Sequence, residues 1–320
     1  MSNLFRFVVN RQTVFYYWVQ AVSGWHVPTG EGDLYSSYST NLEGCTPGQL
    51  KALANIKSIL TSTKYPRRVL DELYTGSISS QEAQIIEKEA RQLMDAFDLY
   101  WGTINGPLDE WKLALEKYDY SHIASEMNRI AYFLRSKLHN TQQKTTVYLL
   151  PNISGRGSSG HVFRESEFIL LHPRQGITDE SIKKTVTVLL HENVHVIEFS
   201  SATISDMLKQ SFLKNRHNLG NPPEGSSWKY LCSEVIAYCF ANNITGGYFR
   251  AELYNSTIPT TQEFKESYHK LISSHSEKTS QKIAWIGLTV LPTVQAKLEA
   301  NAQFDEQVAD EILSKVIEYI

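Results

Sequence analysis

The chain has 320 residues, 42% of them hydrophobic and 20% charged, with 31 Lys and Arg against 34 Asp and Glu. That length allows one large domain or two modest ones, and the apolar content excludes wholesale disorder. The near-neutral balance lacks the concentrated positive charge that nucleic-acid binding needs, so no nucleic-acid partner is expected.

The N-terminal apolar runs are interrupted by Arg6, Asn10, Arg11 and Gln12. They do not make the unbroken segment of a secretory signal. No stretch approaches the ~20 apolar residues of a membrane span, so no membrane partner is expected. The aromatic run Val14–Trp18 reads as buried core. Three cysteines, Cys45, Cys232 and Cys239, cannot all pair within one chain. If Cys232 and Cys239 share a helix, the rise between them exceeds what a disulfide spans. Reduced, buried thiols and a soluble, cytoplasmic protein are therefore expected.

Thr46-Pro47 has the form of an N-cap followed by proline in the first helical turn. Leu50, Leu53, Ile56 and Leu60 then recur at helical spacing. Ser79 and Ser80 open a second helix with Ile85, Ile86, Ala90, Leu93, Met94 and Phe97 on one side. The helical pattern continues through Asp109–Lys117 and Ile123–Leu138. At Thr145–Leu150 the texture changes to β-branched and aromatic, bounded by Pro151, which predicts a strand. A Gly- and Ser-rich loop over Asn152–Gly160 leads to a second strand within His161–His172. Helix returns from Thr178 to about Ser200, with Thr178 or Asp179 as its N-cap. Another helix is predicted from Ser226 to Asn243, stopping at Gly246-Gly247, and Thr260–Ile320 reads as mainly helical.

The ten histidines are not unusual as a count, but His191 and His195 stand four apart with Glu192 between them. On a helix, positions i and i+4 share a face, so both imidazoles reach one tetrahedral metal ion. Glu192, beside the first ligand, can take a proton from a metal-activated water. A third ligand is expected from an acidic side chain. Glu234 lies in the otherwise apolar run Leu231, Val235, Ile236 and Phe240, and a buried carboxylate needs a compensating partner such as a cation. Glu224 and Glu198 are the competing ligands. Glu198, at i+3 from His195, also reads as an acceptor for an imidazole N–H. Tyr230 and Tyr238, at i−4 and i+4 from Glu234, share its face and can orient ligand or substrate.

H-E-x-x-H on a helix after a small sheet resembles the zincin metallopeptidases. The Gly and third His of the metzincin branch are replaced by Glu198 and Ser201, whereas Glu234-Val235-Ile236-Ala237 is similar to the E-x-x-A context of gluzincins. In the best-known gluzincins the glutamate follows more closely, where this chain has Lys214 and Asn215. The resemblance implies an α+β, mainly helical fold with a small sheet next to the H-E-x-x-H helix. It implies Zn²⁺ held by His191, His195 and Glu234, with Glu192 as general base in hydrolysis of a peptide or protein substrate. A strand bordering the cleft, here Glu167–Leu171, would bind extended peptide by strand addition.

An oxyanion donor is needed as well. The candidates are Tyr248, Arg250, Tyr254, Tyr268, His269 and His275, with Tyr248 favoured by the adjacent glycines. Residues 1–110 are expected as a helical N-terminal region and residues 111–320 as the zincin-like domain. The competing expectation is a non-catalytic binding or regulatory protein of the same fold, its metal structural or lost. A fourth protein ligand, His161 or Glu198, would mark that case. The sequence leaves the oligomeric state open.

Overall fold

A computed structural model describes residues 4–25, 45–139, 144–152, 158–163, 168–174, 176–217, 219–223, 226–242, 247–249, 253, 266 and 279–320. Helices dominate them, and a single four-stranded sheet accompanies the helices. The α+β, mainly helical expectation holds at that level. Among the described residues no helix is long and apolar enough to cross a membrane.

The chain divides into two compact units, and the division is discontinuous. One unit comprises residues 5–118 and 146–182. It begins with strand β1 (Phe5–Val8) and helix α1 (Arg11–Val22). Asn10 caps α1 by accepting from the Gln12 and Thr13 amides. Every α1 residue from Thr13 to Val22 is buried, so the Val14–Trp18 run is core as expected. Helix α2 (Pro47–Ser62) starts with a full capping box between Thr46 and Gln49. Helices α3 (Pro66–Thr75) and α4 (Gln81–Ala90) follow, and a short 3₁₀ turn leads into α5 (Met94–Lys117). The expected Asp109–Lys117 segment is the last part of α5, which runs through Pro107.

The sheet also belongs to this unit, in the order β1-β2-β4-β3, with β2 (Thr145–Leu149), β3 (Ser159–Phe163) and β4 (Phe168–His172). β2 pairs parallel to β4, with Val147 opposite Ile169, while β3 runs antiparallel to β4, with His161 opposite Leu170. The single strand expected within His161–His172 is thus two strands of a hairpin. β4 is buried throughout, as a central strand should be.

The other unit comprises residues 1–4, 119–145 and 183–320. It holds α6 (Ser121–Phe133), all but the first turn of α7 (Asp179–Phe199), α8 (Ala202–Asn215), α9 (Trp228–Phe240), α10 (Thr279–Glu299) and α11 (Glu306–Tyr319). α6 stops short of Leu138 because Arg135 takes a positive φ of 51° and the Ser136 amide folds back onto the Ala131 carbonyl. Phe133 meets Phe240 and Phe304 edge-on, at centroid distances of 6.1 and 5.7 Å, and forms an aromatic centre for the helices. α10 approaches α9 so closely that a Cβ at Gly287 would lie 2.9 Å from the Tyr238 Cβ. The Cys239 thiol there donates to the Gly287 carbonyl over 3.0 Å. Cys232 and Cys239 are buried and free, and burial pushes both thiols well up. The chain crosses between the units after Leu4, Tyr118, Thr145 and Ile182.

Candidate metal centre

Two helices of the second unit build the site. Thr178 caps α7: its hydroxyl accepts from the Ser181 amide, and the Ser181 hydroxyl accepts from the Thr178 amide in return. Val186, Leu189, Leu190, Val194 and Ile197 bury the apolar flanks of α7. The helix presents His191 and His195 one above the other, ring centroids 4.9 Å apart and nearly perpendicular. Between them Asn193 is buried and accepts from the Thr145 hydroxyl at 2.8 Å, within the same unit. α9 is capped by Ser227, which accepts from the Tyr230 amide. Its run of Leu231, Cys232, Val235, Ile236, Ala237, Cys239 and Phe240 is buried, and it carries Glu234.

His191, His195 and Glu234 converge so that one ligand atom from each lies within 4.8 Å of the others, and among the described residues they form the only cluster of this kind. The Glu234 oxygens stand 3.4 Å from His191 Nε2 and 3.3 Å from His195 Nε2. A tetrahedral ion with bonds of ~2.0–2.1 Å holds its ligand atoms roughly 3.3–3.4 Å apart; the two contacts, to different carboxylate oxygens, match that spacing, while the three ligand atoms together lie within 4.8 Å. Both rings are oriented from behind. His191 Nδ1 donates to the Ala241 carbonyl at 3.1 Å. His195 Nδ1 lies 3.1 Å from the Ser233 hydroxyl, which itself donates to Glu198 over 2.5 Å. With Nδ1 carrying the proton in each ring, both Nε2 lone pairs face the Glu234 carboxylate. His195 Nε2 is fully buried and makes no hydrogen bond, despite the nearby oxygen. Two lone pairs and a carboxylate pointing at one spot repel each other unless a proton or a metal cation lies between them, and the donor set fits a divalent metal.

The electrostatics favour positive charge between the rings and the carboxylate, carried by a proton on His195 or by a metal. Burial works against the Glu234 carboxylate, yet the His195 and His191 imidazoles hold it well below the usual range. Burial likewise opposes charge on His195, and Glu234, Glu198 and Glu192 outweigh it, so His195 is pushed well up. Tyr238 is raised by burial and then by the carboxylates of Glu234 and Glu192, and Tyr230, half exposed at the surface, is raised by desolvation of its inner part and by the same carboxylates. Both hydroxyls therefore sit in the field of the same two glutamates. The Tyr238 ring also meets His191 edge-on at 4.7 Å.

The other expected residues fall as follows. Glu192 is half-buried on α7, within electrostatic reach of Tyr230, Tyr238 and His195. Glu198 faces the far edge of the His195 ring, 3.5 Å from Nδ1, and is not in the three-residue cluster. His161, the other conceivable fourth ligand, is likewise absent from the cluster and lies in the other unit. Tyr248 follows Gly247, where a φ of +57° and an added Cβ that would lie 2.8 Å from the Phe240 carbonyl oxygen exclude a side chain. The Tyr248 hydroxyl donates to Glu126 and accepts from Arg129 at 3.3 Å. Glu224, Gly246, Arg250, Tyr254, Tyr268, His269 and His275 lie outside the described residues, as does Glu167 at the start of the proposed cleft strand.

Two groups that sequence reasoning missed are the Ser233 hydroxyl and the Ala241 carbonyl. Neither carries a sequence signal, because each role depends on which way α9 turns toward α7. No family model, curated protein or solved structure matches the chain.

Proposed function

We propose that this protein is a zinc-dependent metallopeptidase of gluzincin type, with a zincin-like arrangement of α7 and α9. The observation that carries the reading is the convergence of His191 Nε2, His195 Nε2 and the Glu234 carboxylate, one ligand atom of each within 4.8 Å of the others. His191, His195 and Glu234 would hold Zn²⁺. When bound, the ion supplies Lewis acidity, polarising a water and the carbonyl to be attacked.

The chain's own groups do the remainder. Glu192 accepts the proton of the attacking water. It returns that proton to the amine nitrogen as the C–N bond breaks. Its half-buried position beside the ligands suits a group that must meet both water and substrate. A purely structural metal site has no use for a carboxylate there, and the three-residue cluster leaves a coordination position for solvent or substrate. Tyr238, whose ring meets His191 edge-on at 4.7 Å, and Tyr230, on the same face of α9, would orient a substrate carbonyl. Tyr248, tied to Glu126 and Arg129, is better suited to fixing the segment after α9.

The experiment is metal analysis of the purified protein combined with a peptide-library cleavage assay. One zinc per chain and cleavage that a chelator abolishes are expected. A chain that takes up no zinc, or a zinc-loaded chain that cleaves nothing, overturns the proposal.

A further inference from the structure

Consecutive residues of α9 hold opposite edges of one imidazole. The Glu234 carboxylate lies 3.3 Å from His195 Nε2, and the Ser233 hydroxyl lies 3.1 Å from His195 Nδ1. The Ser233 hydroxyl has one proton to give, and the 2.5 Å contact to Glu198 Oε2 takes it. Its lone pairs then accept from His195 Nδ1–H. Glu198 itself is 3.5 Å from Nδ1, at the limit of a hydrogen bond. Ser233, Glu198 and His195 are all about 95% buried, so water does not compete for these contacts.

We propose that Ser233 is a positioning residue that relays the Glu198 charge to His195, fixing the Nδ1–H tautomer and presenting Nε2 as a lone pair. The relay rests on the reading of His191, His195 and Glu234 as metal ligands. It adds a shorter path to the direct 3.5 Å approach of Glu198 to Nδ1 expected from the i+3 spacing. The physical gain is that a carboxylate at the limit of direct hydrogen-bond reach polarises the ring through an oriented hydroxyl as well.

The test is a double-mutant cycle on the full-length protein. Zinc affinity is measured by competition with a chromogenic chelator, and the visible spectrum of the Co²⁺-loaded form is recorded alongside. Ser233→Ala is expected to weaken zinc binding roughly 10- to 100-fold and to shift the Co²⁺ bands. Ser233→Thr, which keeps the hydroxyl, is expected to restore both. Glu198→Gln is expected to weaken binding in the wild-type background and to add little on top of Ser233→Ala, because the two act in series.

Equal affinities for wild type and Ser233→Ala overturn the relay and leave the peptidase reading standing. An undiminished Glu198→Gln effect in the Ser233→Ala background also overturns it, in favour of direct contact. A series effect on zinc in a chain that cleaves no peptide sustains the relay and sinks the peptidase reading. A wild type that binds no zinc sinks both.

Discussion

Glu72 and Glu234 belong to different units, and their surroundings differ in kind. Glu72 on α3 is 8% exposed at its side chain and accepts from the backbone amides of Ser79 and Ser80 at 2.8 and 2.7 Å. Burial raises its proton affinity, but those amides outweigh it and hold the carboxyl low. Its partners are permanent donors supplied by the fold. Glu234 on α9 is 16% exposed and faces two imidazole nitrogens, each able to carry a lone pair or a proton. A carboxylate that backbone N–H groups satisfy is a joint in the architecture. One that meets ring nitrogens and a tyrosine hydroxyl has partners whose protons can be exchanged for a metal.

That contrast can be broken or sharpened by substitution. The largest effect is expected for the carboxylate assigned to chemistry rather than to binding. Glu192→Gln should lower kcat/KM by about 100- to 10,000-fold while the zinc content stays at one per chain. Loss of zinc together with activity would mean that Glu192 helps to hold the ion. Next comes Glu234→Gln, which should weaken zinc binding on the order of 100- to 1,000-fold. Zinc at a hundredfold excess over Kd should stabilise the wild type by about 2.7 kcal/mol, and this variant should lose that increment. Calorimetric scans with and without zinc would show it.

Glu72→Ala should do the opposite. The metal-free protein should lose about 1–3 kcal/mol, because two amides are left without an acceptor, and its response to zinc should be intact. If Glu234→Gln lowers the metal-free stability as much as Glu72→Ala does, the distinction between joint and site collapses.

The Glu72 contribution also has a sign in pH. A carboxyl depressed in the folded state stabilises the fold fully above its unfolded value, about 4.3. The contribution fades as pH falls through the lower folded-state value. The gap between wild type and Glu72→Ala should therefore be constant near neutrality and close in acid, as urea melts at a series of pH values would report. The smallest effect is expected at Gly76, which ends α3 at a φ of +77° before the turn to Ser79. Gly76→Ala should cost about 1 kcal/mol in thermal unfolding, with zinc binding unchanged.

Much of the candidate site was legible because a helix converts spacing into a shared face. His191 and His195 needed only the 3.6-residue turn, and Glu234 needed only to be a lone carboxylate in an apolar run. Ser233 was illegible, since its meaning lies in how α9 is rotated against α7. Tyr248 was readable as a residue beside glycines but not as a partner of Glu126 and Arg129, which come from a distant part of the chain.

The fold followed the same division. α2, α4, α7 and α9 announce themselves through caps and periodicity. α1 is buried on every side from Thr13 onward, so no amphipathic stripe marks it, and only the Asn10 cap could have revealed it. β1 has four residues and joins the sheet edge by a long-range pairing that no local pattern encodes. The hairpin of β3 and β4 was merged into one strand because both halves are β-prone and the break between them carries no Gly or Pro.

The placement of Ser233 and Glu234 at adjacent positions of α9 bears on how such a chain tolerates change in length. An inserted residue rotates everything beyond it in a helix by about 100°. One extra residue between Trp228 and Ser233 would swing both groups away from His195 together, whereas lengthening the chain ahead of Trp228 would disturb neither. Descendants of this sequence should therefore vary freely in the length of the segment before α9 and keep an unbroken count from Ser227 to Glu234.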